Sequence, residues 1–335
     1  MNTRPSRLIR YFLMFNLLLL VVYPWVGEHF YVGLVMNMMI FGILAMSLDL
    51  LIGYTGLVSL GHAAYYGLAG YLLAIITPES EAVSIWLALP FCILGTSLAA
   101  LIIGWFSVRT RGIYFIMITL AFAQMLFYYF NENVDLGGSD GIFIFYKPTV
   151  TLGSIILLDL NNHIVFYYFI LVCMLFVYFL LRMLLASPFG QVIQGIRANE
   201  NRTRALGYST FHYKLVSFVI AGSIGGLAGF LEGMHGGIVS PGHLGWHESG
   251  LILMIVILGG MGTLYGPILG AFAMIFLQDW FQELTVHWIL LMGVFVIAVV
   301  LFLPRGIAGL IEDLAAKLEK PATAPDTLTK KKSRD

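Results

Sequence analysis

The sequence predicts an all-α fold, a polytopic bundle of about ten membrane-spanning helices with both termini in the cytoplasm. Of its 335 residues, 59% are hydrophobic and only 11% are charged, whereas soluble domains carry about 25% charged residues. Apolar segments of about 20 residues, the length that crosses a bilayer, recur along the chain. Lys and Arg concentrate in alternate connections, which is typical of loops that remain in the cytoplasm.

Ten apolar segments have the length and composition of spans. They cover residues 8–26, 30–52, 56–77, 83–106, 112–130, 163–186, 213–234, 247–260, 264–283 and 286–304. The first follows a basic start and lacks a small-residue cleavage site, so it is predicted to be an uncleaved span. Residues 251–280 are too long for one span. The stretch "ILGGMGTLYGPILGA" therefore favours a helix hairpin over a break in a single long run.

The distribution of basic residues sets the predicted orientation. With the N-terminus inside, all of the 18 Lys and Arg residues except Lys147 fall on the cytoplasmic side. The outer connections hold acidic residues instead: Glu28, Glu79, Glu81, Glu132, Asp135, Asp140 and Asp159. This asymmetry supports ten spans and predicts a multi-pass membrane protein with its N-terminus in the cytoplasm. Because the basic residues are scattered along loops, nucleic acid is excluded as a partner.

Glycines recur at four-residue spacing inside the seventh span, in "AGSIGGLAGFLEGMHGG". Such spacing lets helix backbones approach closely. It predicts tight packing within one subunit, with packing against a second bundle as the alternative.

Polar side chains inside spans are candidates for a translocation pathway. Asp49 lies near the cytoplasmic end of the second span. Its charge is explained either by a pathway role or by pairing with an arginine of a neighbouring inner loop, such as Arg109 or Arg111. His62 lies one turn from Ser59, and the alternative for this histidine is a hydrogen-bonded packing role. The candidate pathway residues are Asp49, Ser59, His62, Thr119 and Gln124.

No catalytic or metal-binding pattern in the sequence has its required context. "GGSDG", residues 137–141, matches a hydrolase nucleophile motif but lies in an outer loop between helices rather than on a strand-to-helix turn. His243 and His247 are four residues apart with His235 nearby, and loop histidines are favoured over a zinc site. The glycine-rich "GGMGTLYG" lacks the G-K-[ST] of a nucleotide-binding loop. The sequence thus predicts no enzyme, metal or cofactor on this chain, and any ATP is expected on another chain.

A charged island, "RANENRTRALGYSTFHYK" at residues 197–214, separates two apolar runs on the predicted cytoplasmic side. Asn199 is placed to cap a short helix, Glu200 suits its positive N-terminal end, and Gly207 suits its C-terminal end. A short charged helix between two spans predicts a docking element. The candidate coupling residues are Glu200, Arg202, Arg204, Ala205, Leu206 and Gly207.

Four stretches of this sequence resemble a known family. They are "SLDLLIGYTGLVSLGHAAYYGLAGY" (47–71), "GGSDGI" (137–142), "SPFGQVIQGIRANENRTRALGYSTFHYKLVSFVIAGSIGGLAG" (187–229) and "LGGMGTLYGPILGA" (258–271). The chain resembles a LivM-type permease over residues 30–310. This is one membrane subunit of the ABC importers for branched-chain and other hydrophobic amino acids, urea and short amides.

The resemblance implies a coupling loop at 187–214, which such permeases insert into a groove of an ATPase subunit. The family pattern there is E-A-A followed by a glycine. Glu200, Ala205 and Gly207 match it loosely, whereas Ala198 precedes Glu200, so the match is partial. The implied organisation is a permease domain over 1–310 and a polar cytoplasmic tail over 311–335. The tail is expected to be disordered and solvated, with contact between its lysines and membrane lipid as the alternative.

The resemblance also implies partners: a LivH-type sister permease, two ABC ATPase subunits that hold ATP and Mg²⁺, and a periplasmic substrate-binding protein. The expected function is import of branched-chain amino acids, with urea or short amides as the alternative substrates. A secondary transporter is the more distant alternative, and it would need ion-coupling groups near the midplane. Only Asp49 is a clear buried acid by sequence, and it lies near the end of a span.

Overall fold

The computed structural model describes residues 7–78, 81–152 and 155–319, and it is predominantly helical. Its helices are α1 Arg7–Val26, α2 His29–Asp49, α3 Ala63–Ile76, α4 Ile85–Ser107, α5 Ile113–Glu132, α6 His163–Ala186, α7 Pro188–Ala198, α8 Glu200–Ala205, α9 Thr210–Gly236, α10 Trp246–Gly259, α11 Gly266–Leu284, α12 Trp288–Phe302 and α13 Gly306–Glu319. A π-helical segment, Leu50–Thr55, continues α2. Arg4, Glu79 and residues 320–335 of the predicted tail lie outside the described residues.

The helices confirm a polytopic membrane bundle. Each of the ten predicted segments overlaps one helix, from α1 to α6 and from α9 to α12. Among the described residues, five helices can cross a membrane by length and composition, and the bent pair α12 and α13 adds a sixth. Helices α3 and α10, with 14 residues each, are shorter than the bilayer core requires. The number of ten crossings and the sides of the termini therefore stay predictions.

Helix α9 lies at the centre of the bundle and packs against α2, α3 and α4. A Cβ atom on Gly229 would lie 1.9 Å from the Tyr66 carbonyl oxygen of α3, and one on Gly226 would lie 2.2 Å from the Thr96 hydroxyl of α4. There is room only for hydrogen at both positions. The glycine spacing thus serves packing within this subunit, as the first of the two interpretations expected.

Helices α10 and α11 form the expected hairpin. A Cβ on Gly266 would lie 2.8 Å from the Gly259 carbonyl oxygen, and one on Gly270 would lie 2.2 Å from the Ile255 carbonyl oxygen. The later residue of α11, Gly270, contacts the earlier residue of α10, Ile255, so the two helices are antiparallel. The chain reverses through residues 260–265, where Gly260 and Gly262 have positive φ angles.

Short strands add to the helical fold in the connections that are predicted to be extracytoplasmic. Strand β1, Ile142–Phe143, pairs with β4, Ile238–Val239, and β2, Val150–Leu152, pairs with β3, Ile155–Leu158; both pairs are antiparallel. Sequence periodicity did not predict these strands. The β1–β4 pair joins the α5–α6 connection to the α9–α10 connection, whereas β2 and β3 both lie within the α5–α6 connection.

Helix α13 extends beyond the predicted boundary between permease domain and tail. It runs to Glu319 and packs against α1, α10 and α11. The Tyr265 hydroxyl of the α10–α11 turn donates a hydrogen bond of 2.7 Å to Glu312. The part of the predicted tail from 311 to 319 is therefore helical.

Candidate functional site

The charged island folds as the sequence predicts. The Asn199 side-chain oxygen accepts a hydrogen bond of 3.0 Å from the Arg202 backbone N–H, which caps α8. Gly207 has a φ of +92°, a left-handed conformation that favours glycine and that reverses the chain after the helix. Helix α8 thus has both of its expected end signals, and a single residue, Asn199, separates it from the longer α7.

Glu200, the first residue of α8, is the centre of a polar cluster that fixes the helix to the bundle. Its carboxylate is 2.8 Å from the Lys214 ammonium of α9, 3.3 Å from the Arg111 guanidinium of the α4–α5 connection and 3.4 Å from Arg204. The Thr210 hydroxyl donates to it at 3.1 Å. Three basic groups from three elements therefore share one carboxylate.

The electrostatics of this cluster favour the charged form of Glu200. Partial burial by itself raises the pKa of the carboxyl. The hydrogen bond and charge of Lys214, the Thr210 hydroxyl and the charge of Arg111 together outweigh burial, so the pKa lies below its ordinary value. Lys214 is 5% exposed, so its ammonium depends on this partner. Glu200 therefore makes its contacts within the chain and holds α8 against α9, whereas the sequence analysis grouped it with residues that face a partner.

The remaining coupling candidates lie on the surface. Arg202, Ala205 and Gly207 are exposed, and Leu206 is 71% exposed. Arg204 is also exposed, but its guanidinium bonds to Glu200 and to Thr210 at 3.4 Å. Helix α8 thus presents an apolar and a basic group outward while its first residue holds it in place.

Asp49 has a different partner from the one expected. Its carboxylate is fully buried, and Oδ1 accepts a hydrogen bond of 2.8 Å from the Gly262 backbone N–H in the α10–α11 turn. The proposed pairing with Arg109 or Arg111 is wrong. Arg111 contacts Glu200 instead, and Arg109 lies over the Trp105 ring at 4.8 Å. The basic residue that interacts with Asp49 electrostatically is Arg197, at the end of α7.

Of the other pathway candidates, Ser59 and His62 lie in the irregular segment 56–62, and Thr119 packs against it. The Ser59 hydroxyl accepts from the Gly61 backbone N–H, and the His62 Nε2 lies 2.7 Å from the Ser47 hydroxyl. The Thr119 carbonyl oxygen packs directly against Gly61. All three side chains are at most 1% exposed, so a pathway past them requires another conformation of the chain. Gln124, further along α5, is half-buried.

Two acidic residues inside helices were missed by the sequence reasoning. Glu232 of α9 and Glu248 of α10 lie close enough to interact electrostatically with each other and with the Tyr66 hydroxyl of α3. Asp49 remains the one fully buried acid of the described residues, whereas Glu232 and Glu248 are half-buried. Glu232 falls inside the predicted seventh span, so the rule that was applied to Asp49 would have found it.

Comparison with known proteins agrees with this architecture. The family model described as "Branched-chain amino acid transport system / permease component" matches residues 30–303. The high-affinity branched-chain amino acid transport system permease protein LivM of Escherichia coli is 28% identical over 315 residues, which is 88% of this chain and 74% of that protein. LivM of Salmonella typhimurium is 27% identical over the same shares. A probable branched-chain amino acid transport permease protein LivM of Methanocaldococcus jannaschii is 30% identical over 107 residues, 32% of this chain and 31% of that protein. No solved structure matches the chain significantly.

Proposed function

Because the chain belongs to the family of permease components of branched-chain amino acid transport systems, we propose that it forms half of the translocation pathway of an ATP-driven importer. Its relatives are permease subunits and not themselves enzymes. ATP and Mg²⁺ belong to separate ATPase subunits in this proposal. The names of the LivM relatives favour branched-chain amino acids over urea or short amides as the substrate.

The proposed assembly contains this chain, a LivH-type sister permease, two ATPase subunits and a periplasmic binding protein in the bacterial inner membrane. Binding of ATP and of the loaded binding protein would each favour one of two conformations of the permease pair. Two such conformations are sufficient for alternating access. The buried residues Asp49, Ser59, His62, Thr119 and Gln124 are the proposed pathway candidates in the state that opens.

One observation carries the docking proposal: α8 is a capped helix whose tip is exposed. Leu206 and Ala205 offer an apolar contact, and Arg202 offers a positive charge beside it. Leu206 is largely free of contacts with the described residues, and an exposed apolar side chain at the tip of a short polar helix suits a groove on a partner. Through Glu200, a displacement of α8 would act directly on α9 and on the α4–α5 connection.

Charge reversal at Arg202 tests the docking proposal. The change Arg202→Glu is cleaner than a change at Arg204, because Arg204 also bonds to Glu200 within the chain. Like charges placed at an interface can cost several kcal/mol, and about 1.4 kcal/mol corresponds to tenfold in affinity. We expect the ATPase subunit to be lost from purified complexes, and the loaded binding protein no longer to stimulate ATP hydrolysis.

Arg305→Glu is the matched control, since that side chain is 78% exposed and its contact with Asp313 is 3.8 Å. It should leave co-purification and stimulation unchanged. Both Arg202→Glu and Arg305→Glu should insert and pair with the sister permease normally. Full stimulation and full uptake in the Arg202→Glu complex would show that α8 is only a solvated loop.

A further inference from the structure

The last turn of α7 contacts two elements that are distant in sequence. The guanidinium of Arg197 donates a hydrogen bond to the Gly53 carbonyl oxygen in the π-helical segment. Its Nη1 also lies 3.2 Å from the position that a Cβ on Gly262 would occupy. One exposed side chain thus joins α7 to the end of α2 and to the turn between α10 and α11.

The π-helical geometry leaves the Gly53 oxygen available. At the end of this segment, the Leu57 backbone N–H bonds to the Leu51 oxygen, and the Thr55 hydroxyl bonds to the Leu50 oxygen at 2.9 Å. The last carbonyls of a helix lack partners within the helix. Arg197 supplies a donor from α7 to the carbonyl of Gly53.

Glycine is required where these elements meet. A Cβ on Gly53 would lie 2.5 Å from the Gly262 nitrogen. Gly56 has a φ of +80°, and a Cβ atom on this residue would lie 3.3 Å from the Arg197 Cγ. The aliphatic part of Arg197 therefore lies over one glycine while its guanidinium reaches another. Asp49, one turn before Gly53, accepts from the Gly262 N–H at 2.8 Å and so holds the α10–α11 turn against α2.

We infer that Arg197 is a positioning residue that transmits displacement of the docking helix to α2 and to the α10–α11 turn. This inference rests on the proposed docking of an ATPase at α8. Helix α7 is joined to α8 through Asn199 alone, so a movement of α8 necessarily moves the end of α7. Single π-helical turns are rare and occur often at functional sites. The π-helical segment here directly precedes the segment 56–62, which carries the buried side chains of Ser59 and His62.

The transmission has two routes that differ in their targets. Glu200 connects α8 to α9 and to the α4–α5 connection, whereas Arg197 connects α7 to α2 and to the α10–α11 hairpin. Loss of the Arg197 contact should therefore leave the ATPase docked and able to hydrolyse ATP. It should interrupt the conformational change of the helices that surround the buried polar residues.

The test compares Arg197→Ala with Arg109→Ala in the complete reconstituted importer. Arg109 is also an exposed arginine at the same end of the bundle, but it contacts Trp105 and Phe211 rather than the turn. Three quantities are measured: the ATPase retained on purification, ATP hydrolysis stimulated by loaded binding protein, and uptake of leucine. For Arg197→Ala we expect retained ATPase, continued hydrolysis and about tenfold less uptake, in line with loss of a hydrogen bond to a charged group. The number of ATP molecules hydrolysed per leucine imported would rise by the same factor.

If the Arg197→Ala complex assembles poorly, Arg197→Lys provides a second test. A lysine can donate one hydrogen bond to the Gly53 oxygen, so the ratio of ATP to leucine should return towards that of the unsubstituted importer.

An unchanged ratio in Arg197→Ala, with either normal or proportionally reduced hydrolysis and uptake, would overturn the inference and leave Arg197 a purely structural residue. Release of the ATPase by Arg197→Ala would also overturn it, because the residue would then belong to the docking surface. If the unsubstituted chain itself retains no ATPase, the docking proposal fails, which is a separate result from any change in the ratio.

Discussion

At the scale of single residues, the charge of Glu200 holds helix α8 in place. The variant Glu200→Gln keeps an acceptor for Lys214 and Thr210 but removes the charge that three basic residues share. Charge-assisted hydrogen bonds are about twice as strong as neutral ones, and Lys214 would remain buried without a counter-ion. We expect a loss of about 1–2 kcal/mol in the free energy of unfolding, measured as a lower melting temperature of the purified protein in detergent.

Glu283→Gln is the control for this change. Glu283 is an exposed acid at the end of α11 and is at the opposite end of the bundle from Glu200 in the ten-span arrangement. Surface changes of this kind usually stay within about 0.5 kcal/mol. Equal melting temperatures for the two variants would mean that the polar cluster contributes nothing to stability.

The contribution of Glu200 should depend on pH in a defined direction. Its pKa in the folded chain is below the ordinary value of 4.5. A depressed carboxyl pKa contributes stability that is fully present above the ordinary value and is lost as the pH falls through the folded value. The difference in melting temperature between the unsubstituted chain and Glu200→Gln should be constant near neutral pH and should shrink below pH 4.5. A difference that grows on acidification would contradict the assignment.

The residue scale also shows why one candidate was predicted with the wrong partner. Asp49 was recognisable as an acid in an apolar run, so its importance was evident from the sequence. Its hydrogen-bond donor is a backbone N–H 213 positions further along the chain. A backbone group has no side-chain signature, so a search among arginines could not find it. Arg197 was visible as a charge of the island, but its contact with Gly53 depends on tertiary packing.

At the scale of helices and turns, local chemistry was enough to predict α8. The Asn199 cap and the Gly207 reversal act within a few residues of the helix, and both occur as expected. The hairpin of α10 and α11 followed from length alone. In contrast, the π-helical segment interrupts an apolar run whose composition does not change at Leu50. Strands β1 and β4 pair residues from two separate connections, so neither contains its own signal.

Helix α9 provides a prediction about packing between elements. Gly229→Ala would place a Cβ 1.9 Å from the Tyr66 carbonyl oxygen, and backbone atoms cannot rotate away as a side chain can. Overpacking typically costs about 1–3 kcal/mol, and we expect the upper end of this range. The measurement is the fraction of purified protein that remains folded through a thermal ramp in detergent.

Gly293→Ala in α12 is the matched comparison, because nothing lies within 4 Å of its Cβ position. Alanine has a higher helix propensity than glycine by about 0.8–1.0 kcal/mol, so this variant should be unchanged or slightly more stable. A stable Gly229→Ala variant would show that α3 and α9 are further apart than described.

At the scale of the whole molecule, the connections separate into two groups. Those predicted to be cytoplasmic meet at one end, where Arg111 contacts Glu200 and Arg197 contacts Gly53. Those predicted to be extracytoplasmic meet at the other, where Ile142 pairs with Val239. The grouping agrees with helices that alternate in direction, whereas the number of ten spans and the side of the membrane at each end stay predictions.

Labelling of single cysteines tests the sidedness. Asn201 of α8 and Ser139 of the α5–α6 connection are both exposed, and they lie in connections of opposite predicted side. Cys92 is fully buried and Cys173 is half-buried, so both are first replaced by serine to remove background. With a membrane-impermeant maleimide, Asn201→Cys should react in inverted vesicles but not in intact cells whose outer membrane is permeabilised. Ser139→Cys should show the reverse, because the excess of basic residues retains the α6–α9 connection in the cytoplasm.

Reaction of both cysteines from the same side would exclude the ten-span arrangement. Exchange of the two sides would retain the bundle but place α8 in the periplasm, where no ATPase could dock.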